Sequence, residues 1–500
     1  MHSPAEEVGL MGQRLATRVQ TALDRVPPAA LVDLMRAIRR MATDRHLSYD
    51  REGVAETVQL LPCPLTMRND QLAYTHYVSQ TILECTKRLP DMYFEVPEVR
   101  DVLRVGPVEE EWLRECWTPA HRETNPVFGR LDAVVDYASA MWKDTIKFME
   151  PNLSGIGGLH MAATAVGILA ELVVPRLLEQ DPGIRLQLPP DMRDLLLQDL
   201  IEHLEVLGRP GGQIVLVDPK FAAEGPDEPD AVARWCRDNH GLSVLHADPS
   251  ELRQRGDEVF YGDTRVDVVY RDAGVLDLLA YAAEGVDVGP MRTLFRQNRV
   301  VSSISAELDQ KSIFELFTDP VLAERLFTVE ERQVMRRHVL WTRLLSARFT
   351  NSPHGERIDL PEWARRERDA LVLKPNRSYG GDGVVVGHTV EQSAWESALD
   401  RALGDTESRY VLQQAAPIPV QSFHVLDADG QVELEPFYVV MGLAPSRYGV
   451  ALMARASQQQ VVNVAQHGGI CAVMVGATSL RKSELGLKFD ADAIQRAATT

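Results

Sequence analysis

The sequence predicts a mixed α/β (α+β) fold of several packed domains, and three observations carry that prediction. Gly211-Gly212 lead into QIVLVDP, followed by SVLHADP and VDVVYRDAG, three apolar strands with a loop and helix from Pro226 to Asn239 after the first. That alternation describes a small parallel α/β domain. Two other regions, near residues 130–152 and from ALVLKPN onward, carry short β-like runs broken by glycine turns. Helical patterning fills the amino-terminal stretch and residues 275 to 350. At 500 residues the chain exceeds one ordinary domain of roughly 100–200 residues. Five regions are expected: helical 1–60, mixed 61–200, parallel α/β 201–300, a helical connector 301–350 and β-rich 351–500.

Composition narrows the function classes. A content of 45% hydrophobic and 25% charged residues excludes disordered, collagen-like and disulfide-scaffold readings. The net charge of −19 opposes general binding to nucleic acid or anionic lipid, which leaves small-molecule chemistry. Cys63, Cys85, Cys116, Cys236 and Cys471 show no C-x-x-C spacing, so packing in a reducing cytoplasm is expected, without a zinc knuckle or disulfides. MHSPAEEVGLMGQRL has acids where a signal peptide begins with bases. The longest apolar stretch, Met161 to Pro175, contains Glu171 and falls short of the ~20 residues a membrane span needs.

The elements follow in order. From Gly12 to Arg45 apolar residues recur at helical spacing, interrupted by Pro27-Pro28, which predicts a helical hairpin. RLDAVVDYA and DTIKFME read as two strands, followed by a glycine turn and the helix-like MAATAVGILAELVVP. The glycines at 211–212 precede their strand, whereas a dinucleotide fingerprint places them after it, which argues against nicotinamide or flavin. ALVLKPN, GVVVGHTV, RYVLQQA, SFHVLDADG and ELEPFYVVMG read as carboxy-terminal strands.

Two segments carry chemistry. In LVLKPNRSYGGDGVVVG a strand ends in Lys374, a turn with Gly380, Gly381 and Gly383 follows, and a second strand begins. Glycines let backbone N–H groups approach phosphate oxygens and the lysine supplies charge. An ordinary glycine hairpin with an edge lysine fits the bare pattern equally well. In GRLDAVVDYASAMWKDTIKFMEPNLSGIGGLH, Asp132 and Glu150 stand on two strands, with Asn152 on the same side of its strand as Glu150. Magnesium takes a few hard oxygens plus phosphates, and this set meets that need. A carboxylate pair without metal is the plainer alternative.

The glycine hairpin resembles that of the ATP-grasp superfamily, in which Lys374 would hold phosphate and Ser378 to Gly383 would form the lid over ATP. Lys311, in ELDQKSIFELF, is similar to the upstream nucleotide lysine, with a solvated helix lysine as the alternative. RYVLQQAAPIP resembles the hinge at the adenine edge, with Gln413 and Gln414 where many relatives carry an acid. Arg455, in VALMARAS, resembles an arginine near the γ-phosphate; a surface ion pair is the alternative. R-x-D followed by E-x-N and the Gly155-Gly157-Gly158 turn resembles the motif of D-alanine–D-alanine ligase relatives. That likeness implies Mg2+ on Asp132, Glu150 and Asn152, and charge stabilisation by Arg130.

In unpermuted members the metal motif follows the lid, whereas here it precedes Lys374. The resemblance is therefore to the circularly permuted ATP-grasp group, which includes glutathionylspermidine synthetase-like proteins and peptide ligases of specialised metabolism. It implies a circularly permuted ATP-grasp fold, with 61–200 and 351–500 as its halves and a pre-ATP-grasp-like domain between them. The implied activity joins a small-molecule carboxylate to an amine, such as an amino acid or peptide, through an acyl phosphate. A homodimer is compatible with it. Phosphotransfer, thiol or hydroxyl ligation and a non-catalytic nucleotide-binding scaffold are the alternatives. Substrate contacts are expected at Ser154, Gly155, Gly157, Gly158, His160, Tyr270 and Arg271, where Arg271 would pair with a carboxylate or form an interdomain ion pair. His467-Gly468-Gly469 is a second loop expected near the cleft.

Overall fold

The computed structural model describes residues 15–221, 228–378, 380–427, 429–462 and 468–476. Helical residues 15–24 lead through Pro27 into Pro28–Asp44, whose first proline sits where no intrahelical N–H bond is lost. Leu31, Leu34, Ile38 and Ala42 form its buried stripe, and the helix packs against Met161–Gln180. Met161–Gln180 is, among the described residues, the one helix long and apolar enough by length and composition to cross a membrane, and half of its apolar window is buried inside the protein.

Three sheets position the site. The first is parallel throughout, in the order Val300–Val301, Val268–Arg271, Ile214–Val217, Val244–Ala247. IVLV and VVYR are buried at every position, as strands covered on both faces must be. The second is antiparallel, in the order Thr342–Leu344, Tyr410–Gln414, Leu371–Pro375, Val385–Val386. It has a core of its own around Leu371, Leu373, Trp395 and Leu412.

The third sheet joins distant parts of the chain. Arg130–Val134 pairs on one side with Lys147–Asn152 and on the other with Val432–Ser446. Val432–Ser446 pairs in turn with Gly449–Ser457 and Val420–Leu426, and Gly449–Ser457 with Gly469–Cys471. The upstream hairpin and the carboxy-terminal strands therefore form one layer, with the parallel domain inserted between them in sequence.

Residues 275 to 350 supply the expected helices, among them Val275–Ala283, Gly289–Arg296 and Val329–His338. They also supply Val300–Val301 and Thr342–Leu344, which complete the first and second sheets. Apolar runs this short carry no period that separates strand from helix, so sheet pairing decides.

Candidate active site

Alternate residues of a strand share a face, and the register sets Arg130 opposite Asn152 and Asp132 opposite Glu150. The four side chains thus meet on one face of the third sheet. Asp132 is 1% exposed. Burial pushes its carboxyl up, but the guanidiniums of Arg130 and Arg455 outweigh burial and hold it down at about 2. Arg130 Nε donates to Asp132 Oδ1 at 2.9 Å, and Arg455 Nη2 donates to Oδ2 at 2.6 Å. Arg130 Nη1 also donates to the Gly157 carbonyl at 2.5 Å. Gly442, opposite Asp132 on the neighbouring strand, makes room for this arginine, since a Cβ there would lie 2.6 Å from Arg130 Cδ. Arg455 is buried rather than superficial, and its Nε has no hydrogen-bond partner among the described residues. Asn152 Nδ2 donates weakly to the Arg130 carbonyl at 3.4 Å.

The second sheet faces the same space. Lys374 and Val372 share one face of Leu371–Pro375 and line a cavity of about 320 Å³ that Asp132, Glu150, Val440 and Arg455 also line. Burial pushes the Lys374 ammonium down to about 8, against the pull of Glu150 and helped by repulsion from Lys311. Its Nζ donates to Gln413 Oε1 at 2.8 Å, and Gln413 Nε2 donates to the Met149 carbonyl at 2.8 Å and to Thr342 Oγ1 at 2.9 Å. Both ends of the Gln413 amide are therefore taken by protein. Gln413 thus orients the lysine while itself lining the same cavity. Gln414 and the Ala415, Ala416, Pro417 and Ile418 segment line the cavity beside it.

Lys311 is 8% exposed, which overturns the solvated-lysine alternative. It stands 3.5 Å from Glu150 Oε2, and its Nζ donates to the Ser378 carbonyl at 2.6 Å. Ser378 opens the glycine turn between Leu371–Pro375 and Val385–Val386, in which Gly380, Gly381 and Gly383 have φ of 73°, 77° and 69°. That left-handed backbone favours glycine at all three. Tyr379 lies outside the described residues. Asp309 lies nearby, accepts from the Leu153 N–H at 2.6 Å, and is pushed up by burial to about 7.

The turn after Asn152 connects this site to the parallel domain. A Cβ on Gly155 would lie 2.2 Å from Asp272 Oδ1, and one on Gly158 2.2 Å from Met453 Sδ. Ser154 is half-buried at the start of the turn. Glu228, ahead of Pro229–His240, accepts from the N–H groups of Gly158, His160 and Met161 at 2.6, 2.7 and 2.8 Å. A carboxylate of the parallel domain therefore caps the start of Met161–Gln180. His160 Nε2 lies 3.1 Å from both the Arg45 carbonyl and Thr164 Oγ1, at a helix junction.

Arg271 is fully buried. It donates to the carbonyls of Ser302, Ala273 and Ser303 and pairs with Glu307 Oε1 at 2.5 Å. All of its donors are therefore engaged by the segment that follows its own sheet, which leaves none for the expected substrate carboxylate. Tyr270 is 2% exposed, with its ring edge-on to Phe128. His467 lies outside the described residues, while Gly469 pairs with Ala456 in the third sheet.

The donor set fits Mg2+. Asp132 Oδ1 accepts from Arg130, while Oδ2 accepts from Arg455 and, at 3.4 Å, from Arg130 Nη2, so Oδ1 keeps the freer lone pair for a further contact. Among the described residues no group of three His, Cys, Asp or Glu side chains is placed to hold a metal alone. Phosphate oxygens and water would complete a shell begun by Asp132, Glu150 and Asn152, as magnesium in nucleotide sites requires. Arg455, Lys374 and Lys311 ring that space with positive charge.

No family model and no curated protein matches the sequence. Among solved structures, a candidate gamma-glutamylcysteine synthetase from Methylobacillus flagellatus KT aligns at 12% identity and a TM-score of 0.38, over 79% of this chain and 88% of that one. The structure of a glutathione synthetase-like effector (GSS30) from Globodera pallida, in its apo form, aligns at 12% identity and a TM-score of 0.59, over 89% of this chain and 97% of that one. At this identity the likeness establishes the fold alone: the chain has a mixed α/β fold shared with that effector.

Proposed function

We propose that this chain is an ATP-dependent carboxylate–amine ligase of the circularly permuted ATP-grasp group. The observation that carries the proposal is the convergence of Asp132, Glu150, Arg455 and Lys374 on one cavity between two antiparallel sheets, with Lys311 beside Glu150. The third sheet, built from an upstream hairpin and carboxy-terminal strands, supports the permuted order. The likeness to a glutathione synthetase-like effector supports a ligase.

In the proposed reaction a substrate carboxylate oxygen attacks the γ-phosphorus while the bond to the β,γ-bridging oxygen breaks and ADP leaves. An amine nitrogen then attacks the acyl carbon, the C–O bond to phosphate breaks, inorganic phosphate leaves, and the amine proton passes to water. Lys374 and Lys311 hold phosphate oxygens, and Arg130 and Arg455 face the charge developing on the transferring group. Mg2+, held by Asp132, Glu150 and Asn152, supplies the charge that offsets repulsion between phosphate and incoming carboxylate. The glycine turn excludes water, which would otherwise hydrolyse the acyl phosphate.

The test is ADP and phosphate release over pooled carboxylates and amines. Release that depends on both and collapses in Asp132→Ala, Glu150→Ala and Lys374→Ala supports the proposal; equal turnover in all three variants sinks it. A stable phosphorylated product would assign phosphotransfer instead.

A further inference from the structure

Asn376 follows the last residue of the strand Leu371–Pro375, where the glycine turn departs, and it is 2% exposed. A buried primary amide costs stability unless its oxygen and its nitrogen both find partners. Both partners of Asn376 come from one distant segment. The Ser312 N–H donates to Asn376 Oδ1 at 2.9 Å, and Asn376 Nδ2 donates to Gln310 Oε1 at 3.0 Å. Between these two, the Lys311 N–H donates to the Asn376 carbonyl at 3.1 Å. One residue thus grips three consecutive residues, and Lys311 is the middle one.

That grip decides where Lys311 stands. Lys374 is placed by sheet pairing, opposite Val411, and the Asn376 N–H continues that pairing by donating to the Arg409 carbonyl at 2.9 Å. Lys311 has no such register: it lies between the 3-10 turn Ile304–Leu308 and the helix Ile313–Thr318. Gln310, Lys311 and Ser312 are 1%, 8% and 0% exposed, so their polar groups must be satisfied within the protein. Gln310 Nε2 donates to the Arg104 carbonyl at 3.2 Å, and flipping that amide would set its oxygen against the carbonyl. Ser312 Oγ donates to the Val102 carbonyl at 3.0 Å. Asn376 therefore joins the strand that carries Lys374 to the segment that carries Lys311.

We infer that Asn376 is a positioning residue for phosphate binding, setting Lys311 against Lys374 so that both ammonium groups meet one triphosphate. Its amide is spent on Gln310 and Ser312, so it acts through Lys311 and not by touching the nucleotide. The assignment rests on the nucleotide reading of the cavity but not on the ligation step. An apolar side chain at this position keeps the main-chain bond to Lys311 and leaves the Ser312 N–H and the Gln310 oxygen buried without partners. A drift of about 1 Å at Lys311 is enough to lose a phosphate contact.

The test is calorimetric titration of the full chain, with Mg2+ present, using ATP and adenosine, which has no phosphate. Asn376→Leu should weaken ATP at least about tenfold and change adenosine less than about twofold. Gln310→Met removes only the acceptor of the Asn376 amide, should weaken ATP severalfold, and decides the matter if Asn376→Leu does not fold. In a Lys311→Met background either substitution should cost less than about threefold more, because the residue being positioned is already gone. A merely structural role would weaken both ligands together and multiply with Lys311→Met. Equal loss of ATP and adenosine, unchanged ATP binding, full multiplication with Lys311→Met, or a wild type that binds no ATP overturns the inference. ATP binding with the predicted pattern but without substrate-dependent ADP release would overturn the ligase reading alone and leave Asn376 in its role.

Discussion

Replacing Asp132 by asparagine separates a metal site from a merely structural ion pair. The substitution leaves Arg130 and Arg455, 8% and 5% exposed, facing each other without a carboxylate. Removing one partner of a buried pair costs about 3–5 kcal/mol, so the variant should unfold at clearly lower urea or temperature. The folded carboxyl is held at about 2, below its ordinary 3.8. Its contribution is therefore complete above pH 3.8 and is lost as pH falls toward 2. The stability gap between wild type and Asp132→Asn should match at pH 8 and pH 6 and narrow below about pH 4. The structural role predicts that much and no more. The metal role adds that Mg2+ raises ATP affinity in the wild type, and that this increment falls at least about tenfold in Asp132→Asn, while affinity in EDTA does not fall. Calorimetric titration of ATP with and without Mg2+ reads both. Unchanged stability refutes the reasoning about the arginine pair, and an equal loss of ATP affinity with and without Mg2+ refutes the metal assignment.

Other consequences follow from the same geometry. The Lys374 ammonium sits at about 8 rather than 10.5, and phosphate favours its charged form, so ATP affinity should fall as pH rises above about 8 and lose that step in Lys374→Met. For the free protein the sign is opposite: unfolding exposes a lysine that binds its proton more tightly, so stability should rise between about pH 8 and 10.5. Gly442→Ala places a Cβ 2.6 Å from Arg130 Cδ, which should cost about 1–3 kcal/mol and about a hundredfold in turnover, with MgATP affinity near wild type. Arg271→Leu leaves Glu307 buried without its cation, so a loss of about 3–5 kcal/mol is expected by urea unfolding, with substrate KM unchanged in the folded fraction.

The local motifs were legible because their chemistry is short-range. Asp132, Glu150 and Asn152 fall on one face by the alternation of a strand, and the glycines after Lys374 occupy left-handed turn positions. The pairing of Arg130–Val134 with Val432–Ser446 has no local signature, so Gly442 could not be connected to Arg130 before the fold was seen. Lys311 was legible only by resemblance, since its local pattern fits a surface helix equally well; it follows the short 3-10 turn Ile304–Leu308 and lies beside Glu150. Arg271 shows the reverse failure: an exposed-looking arginine after a strand is fully buried because Glu307 and three carbonyls satisfy it. Glu228 reads as the start of its own helix, while its carboxylate caps another.

The central claim is that ATP activates a carboxylate by transferring its γ-phosphoryl group to one carboxylate oxygen. The most direct measurement supplies the chain with ATP, Mg2+, unlabelled amines and carboxylic acids labelled with oxygen-18 in the carboxyl group, and follows released phosphate by phosphorus NMR. The account predicts phosphate carrying one labelled oxygen, formed in step with ADP and absent in Asp132→Asn. Phosphate released without label, or AMP and pyrophosphate in place of ADP, would contradict it.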